Sequence, residues 1–209
     1  MFCMCNLVVL GVALGIGMLM ALWFKERRSK GVRRVKPART MFVLGSGGHT
    51  SELLKIVKNM DFQKYSPRCY IHAGSDNLSK HRALEIEGEN TDFVIQEIYR
   101  SRSLHQSYFS SIFSTLRATL QSVPIVFTFK PDVIICNGPG TCVPVCFVIF
   151  FLSFLPWRSR CKIVFVESFC RVTSISLTGK ILQLISDLFV VQWPGLEQTG
   201  KAKYVGRIF

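Results

Sequence analysis

Short apolar runs alternate with segments of helical periodicity through most of this 209-residue chain. Each run leads through a turn into a segment whose apolar residues recur every three or four positions. Strands that are each followed by a helix favour a parallel sheet, because parallel neighbours need a long crossover between them. The sequence therefore predicts an α/β fold, a Rossmann-like parallel sheet with helices on both faces.

The predicted strands are short and are bounded by turn residues. They lie at residues 41–44, 68–73, 93–99, 132–136, 162–166 and 188–192. The predicted helices lie at residues 51–60, 78–87, 107–122, 143–157 and 176–186. We expect the third helix to stop near Pro124, because proline inside a helix removes a backbone hydrogen bond.

The N-terminal part of the chain has a different composition. Residues 7–24 are uncharged and apolar, and a helix of that length spans roughly the hydrocarbon core of a thin bilayer. Basic residues follow the apolar run, and none precedes it. The positive-inside rule predicts a lumenal N-terminus at 1–5, one transmembrane anchor at 6–24, a basic juxtamembrane linker at 25–39 and a cytosolic domain at 40–209. A cleaved signal peptide is the alternative, but it lacks the usual basic n-region.

The chain carries 26 basic and 13 acidic side chains, a formal charge of +13. Such an excess suits nucleic acid, an anionic membrane surface or a phosphate-bearing substrate. The basic cluster beside the anchor, without any aromatic-basic RNA-binding signature, argues against nucleic acid. The eight cysteines form no CxxC pair and the histidine spacing matches no zinc site. We therefore predict reduced thiols, no metal and no cofactor.

The first predicted strand ends in a glycine-rich loop, GSGGHT, at residues 45–50. A helix N-terminus behind such a loop suits an anion, because backbone N–H groups and the helix dipole both favour negative charge. The loop is not a nucleotide P-loop, since no Gly-Lys-Ser/Thr follows. His49 is a candidate general base, and a capping or packing histidine is the equal alternative. The candidate phosphate-binding residues are Gly45, Ser46, Gly47, Gly48 and Thr50.

Polar residues also follow the fourth and fifth predicted strands. Glu167 and Ser168 follow the fifth, and three roles are open to Glu167: binding a sugar hydroxyl, assisting His49 or pairing with Arg171. Ligands of parallel sheets bind outside the carboxyl ends of the strands, so we expect these loops to form one site. The loop after the fourth strand is either a plain rigid turn or a ligand-binding segment, with candidate residues Asn137, Gly138, Pro139, Gly140 and Thr141.

Two other segments have open interpretations. Arg100, Arg102 and His105 form a basic loop that is either solvated or in contact with a pyrophosphate or a lipid headgroup. The apolar run 143–157 is short for a bilayer span, so we predict a helix buried on one face against the sheet. Its phenylalanines either enter the cytosolic leaflet or belong to the core; they are Phe147, Phe150, Phe151 and Phe154.

Several motifs together resemble one known family. They include GSGGHTSELL at 45–54, YSPR at 65–68, RSR at 100–102, KPDVIICNGPGTCVP at 130–144, FVESFCRV at 165–172, VQWPGL at 191–196 and VGRIF at 205–209. The pattern is similar to the membrane-anchored subunit of the eukaryotic UDP-N-acetylglucosamine transferase of dolichol-linked oligosaccharide synthesis. The resemblance covers nearly the whole chain.

This resemblance implies the acceptor-side half of a GT-B glycosyltransferase, similar to the N-terminal half of the bacterial enzyme that makes lipid II. It implies β1,4 transfer of a second GlcNAc from UDP-GlcNAc to dolichyl-pyrophosphate-GlcNAc at the cytosolic face of the endoplasmic reticulum membrane. His49 becomes the expected base by analogy with the bacterial enzyme.

The resemblance also implies a partner: a soluble donor-binding subunit that this chain recruits, without which it is inactive. Other early enzymes of the dolichol pathway are further candidate partners. The expected docking residues are Val205, Gly206, Arg207, Ile208 and Phe209. Two alternatives remain, a membrane scaffold without a catalytic role and a subunit of a polysaccharide transferase that uses another lipid-linked sugar.

Overall fold

The computed structural model describes residues 36–102, 106–138, 140–155, 161–198 and 200–208. The chain divides into two units, Met1–Val35 and Lys36–Phe209, and the description below concerns the second. The predicted anchor at 6–24 and most of the basic linker lie outside the described residues. His105, Pro139 and Phe209 lie outside them as well.

The strands form one seven-stranded parallel sheet in the order β3-β2-β1-β4-β5-β6-β7. Chain order reverses between β1 and β4, and such a reversal opens a crevice at the carboxyl ends of the strands. The predicted Rossmann-like sheet is confirmed. The strands are β1 (Thr40–Val43), β2 (Arg68–Ala73), β3 (Phe93–Ile98), β4 (Val133–Asn137), β5 (Lys162–Val166), β6 (Leu188–Val191) and β7 (Ala202–Tyr204).

Helices cover both faces of the sheet, as predicted. The helices are α1 (Gly48–Lys58), α2 (Asn77–Glu87), α3 (Tyr108–Phe129), α4 (Cys142–Leu152) and α5 (Leu177–Leu182), with a 3₁₀ turn at Pro194–Leu196. Helices α1 and α2 pack on one face, where Leu53 and Ala83 join the core cluster of Phe42. Helices α3, α4 and α5 pack on the other face with Val126 and Leu182 in the larger cluster.

The central strands read as continuous apolar runs because helices cover them on both sides. Every residue of β1 and β2 is buried. Alternate side chains enter opposite clusters, so Phe42 stacks on Tyr70 at 5.2 Å between ring centroids and Phe165 stacks on Phe189 at 5.2 Å on the other side. This burial holds the carboxyl ends of the strands rigidly beside one another.

A buried ion pair joins β2 to α2. The Arg68 Nε group donates to Glu87 Oε1 at 2.6 Å, and Nη2 donates to Oε2 at 2.7 Å. The Tyr70 hydroxyl donates to the same carboxylate at 2.6 Å. Burial, followed by the hydrogen bond to Glu87, raises the pKa of Tyr70 well above its usual value. Removing one partner of this group would leave a buried charge without compensation.

Helix α3 does not stop near Pro124, so that prediction was wrong. It continues to Phe129. Val126 and Phe129 are buried in the core beyond the proline, and Arg39 Nε donates to the Phe129 carbonyl at 2.8 Å. Tertiary packing of the last turn therefore offsets the loss of the backbone hydrogen bond that Pro124 removes. Lys130 follows the last helical residue and adopts a left-handed conformation with φ 51°.

Several other boundaries differ from the sequence-based ones, most of them by one to three residues. The helix predicted at 143–157 ends at Leu152, and the one predicted at 176–186 is only Leu177–Leu182. Strand β7 was not predicted, because three residues of mixed polarity carry too weak an alternation to reveal a strand. It pairs with β6 and brings the C-terminal segment to the edge of the sheet.

Candidate functional site

The loops after β1, β4 and β5 meet at the carboxyl edge of the sheet, as the sequence predicted. The contact between the first two is made by His49, whose Nδ1 lies 3.1 Å from Oδ1 of Asn137. His49 is half-buried in the second position of α1, and Asn137 is fully buried as the last residue of β4. The edge therefore brings a histidine and a fixed amide together between two strands that are neighbours in the sheet.

A third residue, Glu52, decides which way the Asn137 amide points. The Asn137 Nδ2 group donates to Glu52 Oε2 at 2.9 Å. A reversed amide would place its oxygen against the carboxylate, where neither group could donate. The Asn137 oxygen therefore faces His49 and accepts from it, which places the ring proton on Nδ1. In neutral His49 the other nitrogen, Nε2, then carries a free lone pair and can accept a proton.

Glu52 also joins the β5 loop to this arrangement. Its Oε1 accepts from Ser168 Oγ at 2.9 Å, and its Oε2 accepts from the Phe169 backbone N–H at 3.3 Å. The carboxylate thus links α1, the end of β4 and the loop after β5. Sequence reasoning did not identify Glu52. The available signal was its position three residues after His49, which places both side chains on the same face of a helix.

Gly138 allows the close approach of His49 and Asn137. It adopts φ +88°, and a Cβ atom there would lie 2.1 Å from His49 Nδ1. A side chain at this position would displace the imidazole ring. The absence of a side chain at Gly138 therefore lets His49 and Asn137 approach each other. The sequence predicted Gly138 only as part of a turn or a ligand-binding loop.

The glycine-rich loop leaves the N-terminus of α1 open. Ser46, Gly47 and Gly48 are exposed, and among the described residues no side chain caps the helix at Gly47, which adopts φ 61°. A Cβ atom at Gly47 or Gly48 would have nothing within 4 Å. Backbone N–H groups in such a helix start attract anions. The loop thus leaves the start of α1 accessible next to His49.

Thr50 faces the opposite way from this open surface. It is buried, and its hydroxyl bonds to the Gly45 carbonyl and lies 2.6 Å from Ser79 Oγ. Ser79 Oγ donates to the same carbonyl at 2.9 Å, and its other contact is Asp76 Oδ2 at 2.6 Å. These contacts hold the loop from beneath. We therefore interpret Thr50 and Gly45 as residues that support the loop rather than contact a ligand.

Glu167 is also a supporting residue in this structure. It is 1 % exposed, and its Oε2 accepts from the Ser176 backbone N–H and from Ser176 Oγ, both at 3.0 Å. Within the described residues its carboxylate contacts are with Ser176 and Ser168, so neither Arg171 nor His49 is among them. Glu167 thereby joins the end of β5 to the start of α5.

The remaining predicted residues lie at different depths along the same edge. Thr141 is buried where α4 begins, and Gly140 is half-buried before it. Arg100 and Arg102 follow β3, an outer strand separated from β1 by β2. Arg102 is exposed and donates to the Gln106 carbonyl at 3.1 and 3.2 Å. Arg100 and Arg102 therefore lie at the margin of the site and not beside His49.

A cluster of buried thiols adjoins Asn137, and Cys142 Sγ lies 3.8 Å from the Asn137 carbonyl oxygen. Cys136 Sγ lies 3.7 Å from Cys146 Sγ, and both residues are buried. The neighbouring Cys142 and Cys146 side chains, together with burial, raise the pKa of the Cys136 thiol well above its usual value. A neutral, buried thiol neither attacks a substrate nor binds a metal readily. In the part of the chain that the structure describes, no group of three His, Cys, Asp or Glu residues is placed to hold a metal ion.

The model of the protein family described as "Oligosaccharide biosynthesis protein Alg14 like" matches residues 40–208. The chain belongs to this family. Among its relatives is the UDP-N-acetylglucosamine transferase subunit ALG14 of Rattus norvegicus, which is 40% identical over 218 residues and is aligned over the full length of both chains. The subunit of the same name from Homo sapiens is 38% identical over both full lengths. That of Schizosaccharomyces pombe is 40% identical over 78% of this chain and 79% of its own. The predicted family is thus confirmed.

Solved structures confirm the fold of this Alg14-like chain. Acinetobacter baumannii MurG superposes with a TM-score of 0.61 at 15% identity, over 81% of this chain and 46% of MurG. A UDP-N-acetylglucosamine 2-epimerase from Rickettsia bellii gives a TM-score of 0.51 at 14% identity, over 82% and 45%. At such identities the likeness concerns the fold alone. The Alg14-like chain spans slightly under half the length of either protein.

The C-terminal segment of the Alg14-like chain lies beside the site edge. Ile208 N donates to Oε1 of the buried Gln192 at 3.2 Å, and the Arg207 guanidinium lies 4.7 Å from the centre of the Trp193 ring. Trp193 Nε1 in turn donates to the Phe169 carbonyl at 2.8 Å, and the two rings are 5.2 Å apart. Because the Phe169 N–H donates to Glu52, the segment is connected to the site through packed side chains.

Proposed function

We propose that this chain is the acceptor-binding, membrane-anchoring subunit of a two-chain glycosyltransferase. The enzyme adds a second GlcNAc, in β1,4 linkage, from UDP-GlcNAc to dolichyl-pyrophosphate-GlcNAc. Membership of the Alg14-like family supports the assignment to N-acetylglucosamine transfer. The observation that carries the catalytic part is the hydrogen-bond chain from His49 through Asn137 to Glu52, next to an open helix N-terminus.

The division between two chains is supported by the relatives, which are named as subunits of a UDP-N-acetylglucosamine transferase. The chain covers 46% of the MurG structure that shares its fold. A GT-B enzyme places its substrates between two Rossmann-like domains, and the unit Lys36–Phe209 contains one such sheet. We infer that a soluble subunit supplies the donor-binding domain, that this chain recruits it through residues 205–209, and that the chain alone is inactive.

The acceptor pyrophosphate is proposed to bind at the loop of Ser46, Gly47 and Gly48. These residues are exposed, and Gly48 begins α1, whose first N–H groups and dipole favour a phosphate ligand. An acceptor bound here places its sugar close to His49, the next residue of the helix. Pyrophosphate binding at this loop therefore orients the acceptor hydroxyl for reaction.

The proposed chemical step is a direct displacement with inversion. The attacking hydroxyl oxygen of the acceptor sugar forms a bond to the anomeric carbon of GlcNAc while the bond from that carbon to UDP breaks. The hydroxyl proton passes to Nε2 of His49, and UDP leaves with the electron pair of the broken bond. The imidazole becomes positively charged, and Asn137 connects it to the negative charge of Glu52. No covalent enzyme intermediate is required.

The proposed location is the endoplasmic reticulum membrane, with the sheet domain on the cytosolic side. The support is the apolar segment 6–24 followed by the basic linker 25–39, which the positive-inside rule orients. Other early enzymes of the same pathway are further candidate partners, because successive steps would use the same lipid carrier.

Reconstitution tests this function directly. The full chain is placed in lipid vesicles with or without its soluble partner, and GlcNAc transfer to a lipid-pyrophosphate-GlcNAc acceptor is measured. We expect turnover only with both chains, and a loss of at least about 100-fold in His49→Ala, the usual scale for a general base. His81→Ala is the matched control, since His81 is an exposed histidine on the neighbouring helix α2. Near-normal turnover of His49→Ala with normal partner binding would favour the scaffold alternative.

A further inference from the structure

Helix α3 exposes a continuous row of large apolar side chains. Their spacing of three or four residues places them on one face of the helix. Each is between 39% and 75% exposed, so the face is open to solvent over most of its length. We call this surface the α3 outer face; its residues are Phe109, Ile112, Phe113, Leu116, Leu120 and Val123.

The opposite face of α3 packs on the sheet. Ala118, Ser122 and Val126 are buried there, so the helix is apolar on both sides. Among the described residues, Phe109–Phe129 is a helix long and apolar enough to cross a membrane by length and composition. It cannot cross one while it connects β3 to β4, because both strands belong to the same parallel sheet and the helix runs back along it.

Helix α4 extends the outer face sideways. Phe151 is 64% exposed and lies next to Phe147, with ring centroids 6.3 Å apart. A cleft of about 400 Å³ separates the two helices, and its lining is almost wholly apolar. The lining residues are Thr119, Val123, Phe147, Val148, Phe151 and Leu152. Two helices and the cleft between them therefore form one apolar surface wide enough to accept hydrocarbon chains.

The charges around this surface have one sign. No Asp or Glu occurs between Glu97 and Asp132 or between Asp132 and Glu167, so α3 and α4 carry no acidic residue. Basic residues flank α3 on the loop before it, at its middle and at its end; they are Arg100, Arg102, Arg117 and Lys130.

The opposite side of the sheet differs in charge. Helix α2 there exposes charges of both signs, Lys80 and Glu85, and the exposed Glu89 follows it. Protein interfaces usually surround an apolar centre with a polar rim, whereas an apolar face flanked by basic residues matches an anionic bilayer. Charge complementarity therefore selects a lipid surface as the partner of the α3 outer face.

We propose that the α3 outer face and the exposed edge of α4 lie in the headgroup and acyl boundary of an anionic bilayer, with α3 in the membrane plane. This is a second membrane contact, separate from the segment 6–24, and it does not depend on the identity of the acceptor. Helix α3 begins at the carboxyl edge of the sheet, where the loop of Gly47 and His49 lies. Docking through α3 keeps this edge at the bilayer surface, where a lipid-linked acceptor presents its pyrophosphate.

Quenching by brominated lipids tests the contact. The full chain carrying Phe113→Trp is placed in vesicles of phosphatidylcholine and phosphatidylserine with brominated acyl chains. The added fluorescence, measured against the parent chain with its native tryptophans, is expected to fall by at least about half, since bromine quenches only at short range inside the acyl region. Leu78→Trp on α2 is the matched control, because Leu78 is 56% exposed on the opposite side, and it should not be quenched.

Unquenched Phe113→Trp fluorescence, or equal quenching at both positions, overturns the proposal. Loss of quenching when the soluble partner is added also overturns it, because the face would then be a protein interface. A second variant, Leu116→Glu with Leu120→Glu, replaces exposed residues, and circular dichroism checks that it folds. It should lower transfer to a vesicle-embedded acceptor about tenfold and leave transfer to a short-chain acceptor in detergent unchanged. Because quenching is read without turnover, failure of this proposal is distinguishable from failure of the proposed transferase function.

Discussion

Nδ2 of Asn137 donates a hydrogen bond to Glu52 at 2.9 Å, across the gap between β4 and α1. This contact orients the amide and thereby determines which nitrogen of His49 carries the proton. Glu52, which the sequence analysis did not identify, thus controls the tautomer of His49, the candidate base. Catalytic histidines in general need a partner that selects the tautomer.

Loss of the Glu52 carboxylate should lower kcat more than it raises KM. Without the carboxylate the Asn137 amide can reverse, and the reversed amide donates to Nδ1 and leaves the proton on Nε2. We expect Glu52→Ala to reduce kcat about 30-fold or more, within the range of general-base effects. Steady-state kinetics of the two-chain complex in vesicles measures this. Glu85→Ala on α2 is the control, and a change confined to KM would contradict the positioning role.

Asn137→Ala should have a similar effect, because it removes the acceptor for His49 Nδ1. We expect a fall in kcat of about 100-fold. The double variant Asn137→Ala with Glu52→Ala should be little worse than Asn137→Ala alone, because the two residues act as one unit. Full additivity of the two losses would show that Glu52 acts independently of Asn137.

Gly138→Ala and Gly140→Ala form a matched pair of loop substitutions. At Gly138 a Cβ atom would meet His49 Nδ1 at 2.1 Å and φ is +88°, whereas at Gly140 nothing lies within 4 Å. We expect Gly138→Ala to destabilise the fold by about 1–3 kcal/mol and to abolish most activity. Gly140→Ala should keep both. Thermal unfolding and transfer assays of the two variants check this, and equal behaviour would argue against the described loop geometry.

Stability should decrease in alkaline solution. Burial raises the pKa of Cys69 from 9.0 to about 12, and it raises the pKa of Tyr70 further above its usual 10.0. As the pH rises, both groups release their protons in the unfolded chain before they do so in the folded protein. Their contribution to the free energy of unfolding is therefore complete below about pH 9 and is lost as the pH rises through the pKa values of the folded protein. Each group should contribute a slope of about 1.4 kcal/mol per pH unit within its window.

Unfolding by denaturant between pH 8 and pH 11 measures this slope. Cys69→Ala should remove the part of the slope that begins near pH 9. A slope unchanged by that substitution would show that the buried thiol titrates normally in the folded protein.

The C-terminal segment should be required for partner capture. Ile208 is 37% exposed and is held by Gln192, so its side chain is presented from a fixed backbone. Ile208→Asp should weaken co-purification of the soluble subunit at least about tenfold, as loss of an apolar interface anchor does. Val172→Asp is the control, since Val172 is exposed in the loop before α5. Equal capture by both variants would move the docking site elsewhere.

The parts of the fold that were predictable have strong local signals. Strands β2 and β5 have the predicted boundaries because buried parallel strands read as mainly apolar runs between polar turns. The continuation of α3 beyond Pro124 was not predictable, because it depends on Val126 and Phe129 finding the core. Strand β7 depends in the same way on pairing with β6. Local propensity does not encode contacts between residues that are distant in the chain.

By itself, the sequence determined the class of fold, the meeting of three strand-end loops at one edge, and the family through its motifs. These follow from periodicity and from the rule that parallel strands share their carboxyl edge. Only the tertiary structure decided what each polar residue does there. It turned Thr50 and Glu167 inward as supports, and it brought Glu52 to Asn137 from 85 residues away. Hydrogen bonds between distant residues depend on packed geometry, and packing exists only once the chain has folded.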